Sequence, residues 1–176
     1  MIKTIVVATD GSKHADKAVA AAGEIAGKFG SRVVVVHTAL AGASSNTLRK
    51  LANRKALSKP QRDLLDNYEA DVLMAMSGAG MAPITVVPPP AELLHPIGDQ
   101  LLERAAAAVK KAGAKRVSTA YFGGDPADAI LKTAKKEKAD MIVLGTRGLG
   151  EIKGLFLGSV SHKVSAHATC AVLTVK

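Results

Sequence analysis

The chain has no tryptophan, and its aromatic residues are two tyrosines and three phenylalanines. Surfaces that hold single-stranded nucleic acid stack bases on exposed rings, so this shortage argues against such a partner. It also leaves Ala, Val, Leu and Ile to fill the core, which a hydrophobic content of 48% can supply. A single cysteine, Cys170, excludes an intrachain disulfide and suits a reducing cytosol. Cys170 lies between Thr169 and an apolar run, the setting of a small packed side chain rather than an activated thiol. Acidic residues are also scarce: 15 Asp and Glu stand against 24 Lys and Arg, for a net charge of +9. Such a charge can attract nucleic acid, an anionic membrane or a nucleotide. The basic residues are spread along the chain, however. The densest run, residues 132–138, includes Glu137 and reads as one solvated helix face. No nucleic-acid partner is expected.

The start, Met1-Ile2-Lys3, lacks the basic region, long apolar stretch and cleavage site of a signal peptide, so the cytoplasm is the expected location. Residues 72–91 carry no charge and are numerous enough to span a bilayer. Gly78, Gly80, Pro83 and Pro88-Pro89-Pro90 would break a helix there. Neither a membrane span nor a membrane partner is expected. The length of 176 residues fits a single domain.

Residues 2–8 form a short β-branched run, a buried strand. Thr9-Asp10-Gly11-Ser12 turns the chain, and Asp10 or Ser12 can cap the helix that follows over 13–29. Ala15, Ala18, Val19, Ala22, Ile25, Ala26 and Phe29 give that helix one apolar stripe, and Gly30 stops it. Val33 to Val36 are apolar on both faces of a strand over 32–38, as in a parallel sheet covered on each side. A helix over 98–112, a strand over 115–122, a helix opened by Asp125-Pro126, a strand over 139–144, a helix from Gly158-Ser159 to about His167 and a strand over 171–175 complete the pattern.

Strict alternation of strands and helices implies a parallel sheet with right-handed crossovers. Ligands of such sheets bind at the carboxyl ends of the strands, where the strand order reverses. Residues 9–12 and 145–158 lie there. Residues 41–97 do not fit the alternation and are too long for an ordinary connection. Residues 47–57 and 61–76 read as helices and 77–96 as a loop. The segment 74–96 combines glycine, proline and methionine, as either a plain surface insertion or a nucleotide-dependent lid would.

After the fourth strand the chain reads Gly145-Thr146-Arg147-Gly148-Leu149-Gly150-Glu151-Ile152-Lys153-Gly154-Leu155-Phe156-Leu157-Gly158-Ser159-Val160-Ser161. Its glycines allow positive φ and close approach of a ligand, and exposed N–H groups in such a loop form an anion site. The helix starting near Ser159 adds free N–H groups and partial positive charge. Ser159 and Ser161 supply hydroxyls, and Arg147 a charge-assisted phosphate contact. Together these features favour a polyphosphate ligand over an ordinary flexible glycine loop. The loop is neither a P-loop nor a dinucleotide fingerprint.

Gly145-x2-Gly148-x9-Gly158-Ser159 resembles the ATP-binding signature of the universal stress protein family. The opening Ile5-Val6-Val7-Ala8-Thr9-Asp10-Gly11-Ser12 and the ending Ala171-Val172-Leu173-Thr174-Val175 are similar to that family's first and last strands. The resemblance covers about residues 1–40 and 98–176. It implies an α/β fold with a five-stranded parallel sheet of order 3-2-1-4-5 and helices on both faces, to which this chain adds a helical and loop insertion after strand 2. It implies ATP with Mg2+ as ligand and a homodimer through Ala171–Val175. It also implies that Ala8, Thr9 and Asp10 hold the nucleoside end, that Thr38 meets adenine, and that Leu144 packs near base or ribose. Gly145, Arg147, Gly148, Gly158, Ser159, Val160 and Ser161 would surround ribose and phosphates. Ala171 stands where many members have proline, and residues 41–97 exceed the usual connection.

Other candidates carry less. Asp10 can contact ribose, bind Mg2+ through water, or cap a helix. His162 and His167 diverge on a helix, which disfavours a zinc pair. His37 reads as a packed histidine, and His14 and His95 lack partners in sequence. Ser159 has no nucleophile-elbow motif and reads as a cap and phosphate ligand. No residue is assigned a catalytic role. The leading expectation is a nucleotide-dependent stress-response regulator read by a protein partner. The alternatives are a slow ATPase or transferase using the same loop, and a nucleotide-free scaffold.

Overall fold

The computed structural model describes residues 1–38, 40, 44–77, 87–149 and 157–176, apart from the side chain of Met76. In chain order the elements are β1 (Thr4–Ala8), α1 (Lys13–Phe29), β2 (Arg32–Thr38), α2 (Ser45–Leu51), α3 (Lys59–Ser77), α4 (Ala91–Lys111), β3 (Arg116–Phe122), α5 (Pro126–Lys136), β4 (Met141–Gly145), α6 (Ser159–His167) and β5 (Ala171–Val175). They form two compact units, one of residues 1–39 and 101–176, the other of residues 40–100.

The first unit is a five-stranded sheet of order β3-β2-β1-β4-β5, with every adjacent pair parallel. Period-two alternation in the central strands sends side chains to two separate cores. Ile5, Val7, Val33, Val35 and Val143 pack with Ala18, Val19 and Ala22 of α1 and Leu102, Ala105 and Val109 of α4. Val6, Val34, Val36, Ile142 and Leu144 pack on the other face with Ile130 and Ala134 of α5 and Val164 of α6. The continuous valine run of β2 is thus buried on both faces.

Helix α1 begins and ends where its sequence signals lie. Of the two candidate caps, Ser12 is the one used: its Oγ accepts the Ala15 N–H at 3.2 Å. Gly30 closes the helix in the left-handed region, at φ 66°. Phe29, expected in the buried stripe, is 54% exposed, although Ala26 in the same turn is buried in the core.

In the second unit, α2 covers Ser45–Leu51 rather than residues 47–57. Asn53 ends it by taking the Lys55 N–H on its side chain, a local bond that competes with helix. Helix α3 starts earlier than expected. Ser58 and Gln61 exchange hydrogen bonds, Ser58 N–H to Gln61 Oε1 at 2.9 Å and Gln61 N–H to Ser58 Oγ at 3.4 Å, which is a capping box. Leu48, Leu57, Leu65 and Tyr68 are buried, and the Tyr68 hydroxyl donates to the Val87 carbonyl at 3.1 Å.

Residues 91–96, expected as loop, are the opening of α4, with Pro96 inside the helix. Proline there removes one intrahelical bond. Leu93, Leu94, Ile97 and Leu101, spaced by three and four and all buried, hold the helix through it. Residues 78–86 of the expected loop lie outside the described residues.

Candidate functional site

All five strands point the same way, so the segments after β1, β2 and β4 and the start of α6 meet one end of the sheet. Ala8 ends β1, half-buried against the α5–α6 core. Thr9 is buried; its N–H continues the sheet to the Val36 carbonyl at 2.9 Å, and its Oγ1 accepts the Gly11 N–H. Beneath it lies His37, 1% exposed, with Nδ1 at 2.8 Å from the Thr9 carbonyl oxygen. A carbonyl only accepts, so Nδ1 carries the proton. His37 is the packed histidine expected.

Asp10 joins two loops. Its Oδ1 accepts the Ser12 N–H at 2.9 Å, and its Oδ2 accepts the Leu149 N–H at 2.9 Å, across 139 positions of sequence. Of the roles open to Asp10, helix cap falls to Ser12, while the carboxylate clasps the β1 turn to the β4 loop. Gly148 follows from this. A Cβ at that position would collide with Asp10 Oδ2. Gly145 likewise has no room: its Cβ would lie 2.8 Å from His14 Cβ and 3.0 Å from the Ala15 nitrogen.

The loop glycines work differently from expectation. Gly145, Gly148 and Gly158 are absent from the left-handed region, where the described glycines are Gly11, Gly30, Gly113 and Gly124. Close approach of neighbouring chain, not positive φ, requires glycine at 145 and 148. Gly158 needs neither. It has φ −72°, and a Cβ would make ordinary contacts, 3.5 Å to the Thr146 oxygen and 3.6 Å to Arg147 Cα. Gly150, Gly154 and the rest of residues 150–156 lie outside the described residues.

Gly158, not Ser159, is the N-cap of α6, and no side chain caps the helix. Ser159 is the first helical residue and is exposed. Among the described residues, therefore, no side chain gives the opening N–H groups of α6 the acceptor that Ser12 gives α1. Ser161, by contrast, is 2% exposed, and its Oγ lies 2.9 Å from both the Thr146 and Gly158 carbonyls. It can donate its one proton to only one of them at a time. Its role is internal: it holds the loop's exit to its entrance. Thr146 completes that closure. Its N–H donates to the Val175 carbonyl at 2.8 Å, and its own carbonyl accepts the Gly158 N–H at 2.7 Å. Thr146 escaped the sequence reading because a threonine inside a glycine loop gives no signal of backbone closure.

The remaining assignments divide. Arg147 and Gly148 are half-buried in the loop, and Val160 is half-buried against the α5–α6 core. Leu144, expected beside the base or ribose, is 3% exposed inside that core. Thr38 ends β2 opposite Phe122 of β3, on the other side of β1 from the β4 loop. At the same end, Asp125 caps α5, and Lys163 of α6 lies 3.2 Å from Asp125 and 2.8 Å from Asp128. The backbone N–H of Asp128 and then Lys163 hold the Asp125 carboxyl below its usual value. Among the described residues, no group of three or more His, Cys, Asp or Glu could hold a metal ion.

The model of the universal stress protein family matches residues 1–176. A universal stress protein of Thermus aquaticus is 35% identical over 184 residues, covering 100% of both chains. One from Mycobacterium tuberculosis is 35% identical over 175 residues, covering 98% of this chain and 95% of its own. A universal stress protein solved in complex with cAMP superposes with a TM-score of 0.59 at 25% identity, over 99% of this chain and 96% of that one.

Proposed function

The chain belongs to the universal stress protein family, and from that premise we propose that it binds an adenine nucleotide, ATP, at the carboxyl end of β1 and β4 and acts as a nucleotide-dependent regulator. The observation that carries this reading is the start of α6. Its cap is a glycine that neither backbone conformation nor internal packing requires, and among the described residues no side chain caps its first N–H groups. Those are the properties of a cradle for an anion that comes close to backbone. Exposed Ser159 and half-buried Arg147 can add a hydroxyl and a charge to the same phosphates. The complex of a relative with cAMP supports an adenine nucleotide as the ligand class.

The residues fit a phosphate better than a protein-held cation. Both Asp10 oxygens already accept backbone N–H groups, and no acidic cluster lies among the described residues. Mg2+ would therefore arrive on the nucleotide's phosphates, as it does where few carboxylates are offered. Ala8, Thr9 and Asp10 would bound the nucleoside end through backbone and clasp, with Thr38 toward adenine. The chain is one cytoplasmic domain in this reading, with residues 41–97 as its insertion. It pairs with a second copy along the outer edge of β5, whose other edge is taken by β4. A protein partner would read the nucleotide state.

Mass spectrometry of small molecules released from the denatured, purified protein tests the ligand. An adenine nucleotide at near-stoichiometric yield, or calorimetric binding of added ATP, is the expected result. Neither retained nucleotide nor ATP binding would overturn the reading in favour of a scaffold.

A further inference from the structure

The basic residues look dispersed in sequence, but the topology gathers them. In a parallel sheet every strand starts at one end, and every covering helix finishes there. The last turns of α1, α4 and α5 carry Lys28, Lys110, Lys111, Lys135 and Lys136 at this amino end. Lys3, Lys115, Arg116 and Lys138 join them from strand starts and connections. Hydrogen bonds tie the patch together: the Ser31 hydroxyl donates to the Ile2 carbonyl, the Arg32 N–H to the Lys3 carbonyl, and Arg116 to the Gly30 carbonyl. The carboxylates here are engaged. Glu137 pairs with Arg32 at 2.7 Å, and Asp140 accepts the Lys3 and Thr4 N–H groups. None of the lysines named here is in an ion pair among the described residues.

Lysines in a last helical turn also balance the helix dipole. That accounts for those on α1, α4 and α5, and Arg116 likewise bonds the carbonyl of Gly30 at the end of α1; Lys3, Lys115 and Lys138 are left without such a reason. A second feature coincides with the charge. Phe29, beside Lys28, is 54% exposed, and Met1, next to Ile2 and so close to Ser31, is 96% exposed.

We infer that the amino end of the sheet is a peripheral docking surface for an anionic lipid bilayer. Long, flexible lysines suit the diffuse negative potential of a headgroup layer, and exposed apolar side chains among them suit its acyl boundary. Double-stranded nucleic acid fits less well. It is read by arginine forks and groove-entering elements, whereas this surface is mostly lysine at blunt helix ends. The nucleotide loops lie at the opposite end of the same sheet, so a docked chain leaves them facing water.

Sedimentation of the full chain with phosphatidylcholine vesicles, with and without phosphatidylglycerol, tests this. Binding is expected only with the anionic lipid and should vanish between about 0.1 M and about 0.5 M salt as the charges are screened. Lys135→Gln with Lys136→Gln should weaken partitioning roughly 25-fold, at about fivefold per lysine. Lys28→Gln with Phe29→Ser, on a different helix, should weaken it comparably, while Lys17→Gln near the other end of α1 should not. ATP titration of each variant, expected to match the parent, reports folding and keeps this result separate from the nucleotide reading. No binding at low salt would overturn the inference, as would equal loss in Lys17→Gln. Tighter binding to a duplex DNA than to vesicles at the same salt would overturn it in favour of nucleic acid.

Discussion

The two ends of the sheet, for each of which we propose an anionic ligand, are built from different materials. The carboxyl end is made of backbone: glycines at 145, 148 and 158, a helix start without a side-chain cap, and a carboxylate spent on holding loops together. The amino end is made of side chains, long lysines with water around them. Backbone donors are fixed by the fold, so they can select a small ligand by shape. Lysine charges move and are screened by salt, so they can select only a field. Under these two proposals the sheet separates recognition of a molecule from attraction to a surface.

The largest expected effect breaks the carboxyl end. Gly148→Val places carbon where Asp10 Oδ2 lies, and overpacking of this kind costs about 1–3 kcal/mol. Thermal unfolding should fall by several degrees, and ATP binding should go with it. Gly158→Val separates ligand space from protein space. Its Cβ makes ordinary contacts, so the melting temperature should change far less than in Gly148→Val, while calorimetric ATP affinity falls at least about tenfold, near 1.4 kcal/mol. Unchanged affinity in a folded Gly158→Val protein would remove the phosphate from this helix start.

Asp10→Asn tests the clasp without filling space. The amide offers one acceptor where the carboxylate offers two, so either the Ser12 or the Leu149 N–H loses its partner. A loss of about 1–2 kcal/mol is expected, with faster amide exchange at residues 10–12 or 148–149 in the nucleotide-free protein. Unaltered exchange in both segments would show that the clasp does not order the loops.

The smallest effect belongs to the amino end. The backbone N–H groups of Thr4 and then Lys3 hold the Asp140 carboxyl below its ordinary 3.8. A lowered folded value adds stability that is present above the unfolded value and lost as the pH falls through the folded one. Asp140→Asn should therefore lower the melting temperature slightly at neutral pH, and the gap from the parent should close below about pH 4. A gap independent of pH would assign the loss to shape rather than charge.

Nearly every element of the sheet unit was legible, because valine-rich strands, Ser12, Gly30 and Asp125-Pro126 act within a few residues of one another, whereas the strand order followed only from the family resemblance. What the sequence hid was non-local or ambiguous. Pro96 signalled a break, yet Leu93, Leu94 and Ile97 carry the helix through it. Ser58 and Gln61 form a capping box that a polar stretch disguises. In the loop, the glycine positions were readable but their reason was not. Asp10 and Gly148 stand far apart in sequence, so nothing local shows that one excludes a side chain from the other. The gathering of lysines is hidden for the same reason: it exists only once helix ends are brought to one edge.

The register of β1 also sets the order in which the protein can be completed. One side of β1 pairs with β2, Val6 beside Val34, while its other side waits for β4, Val6 beside Ile142. On a ribosome, more than a hundred residues must emerge between these two pairings, a wait of roughly 5–20 s at ordinary elongation rates. During that interval β1 has an apolar open edge of the kind that recruits foreign strands. The nascent chain is therefore most exposed to misassembly, and most in need of a chaperone, between the synthesis of β2 and that of β4.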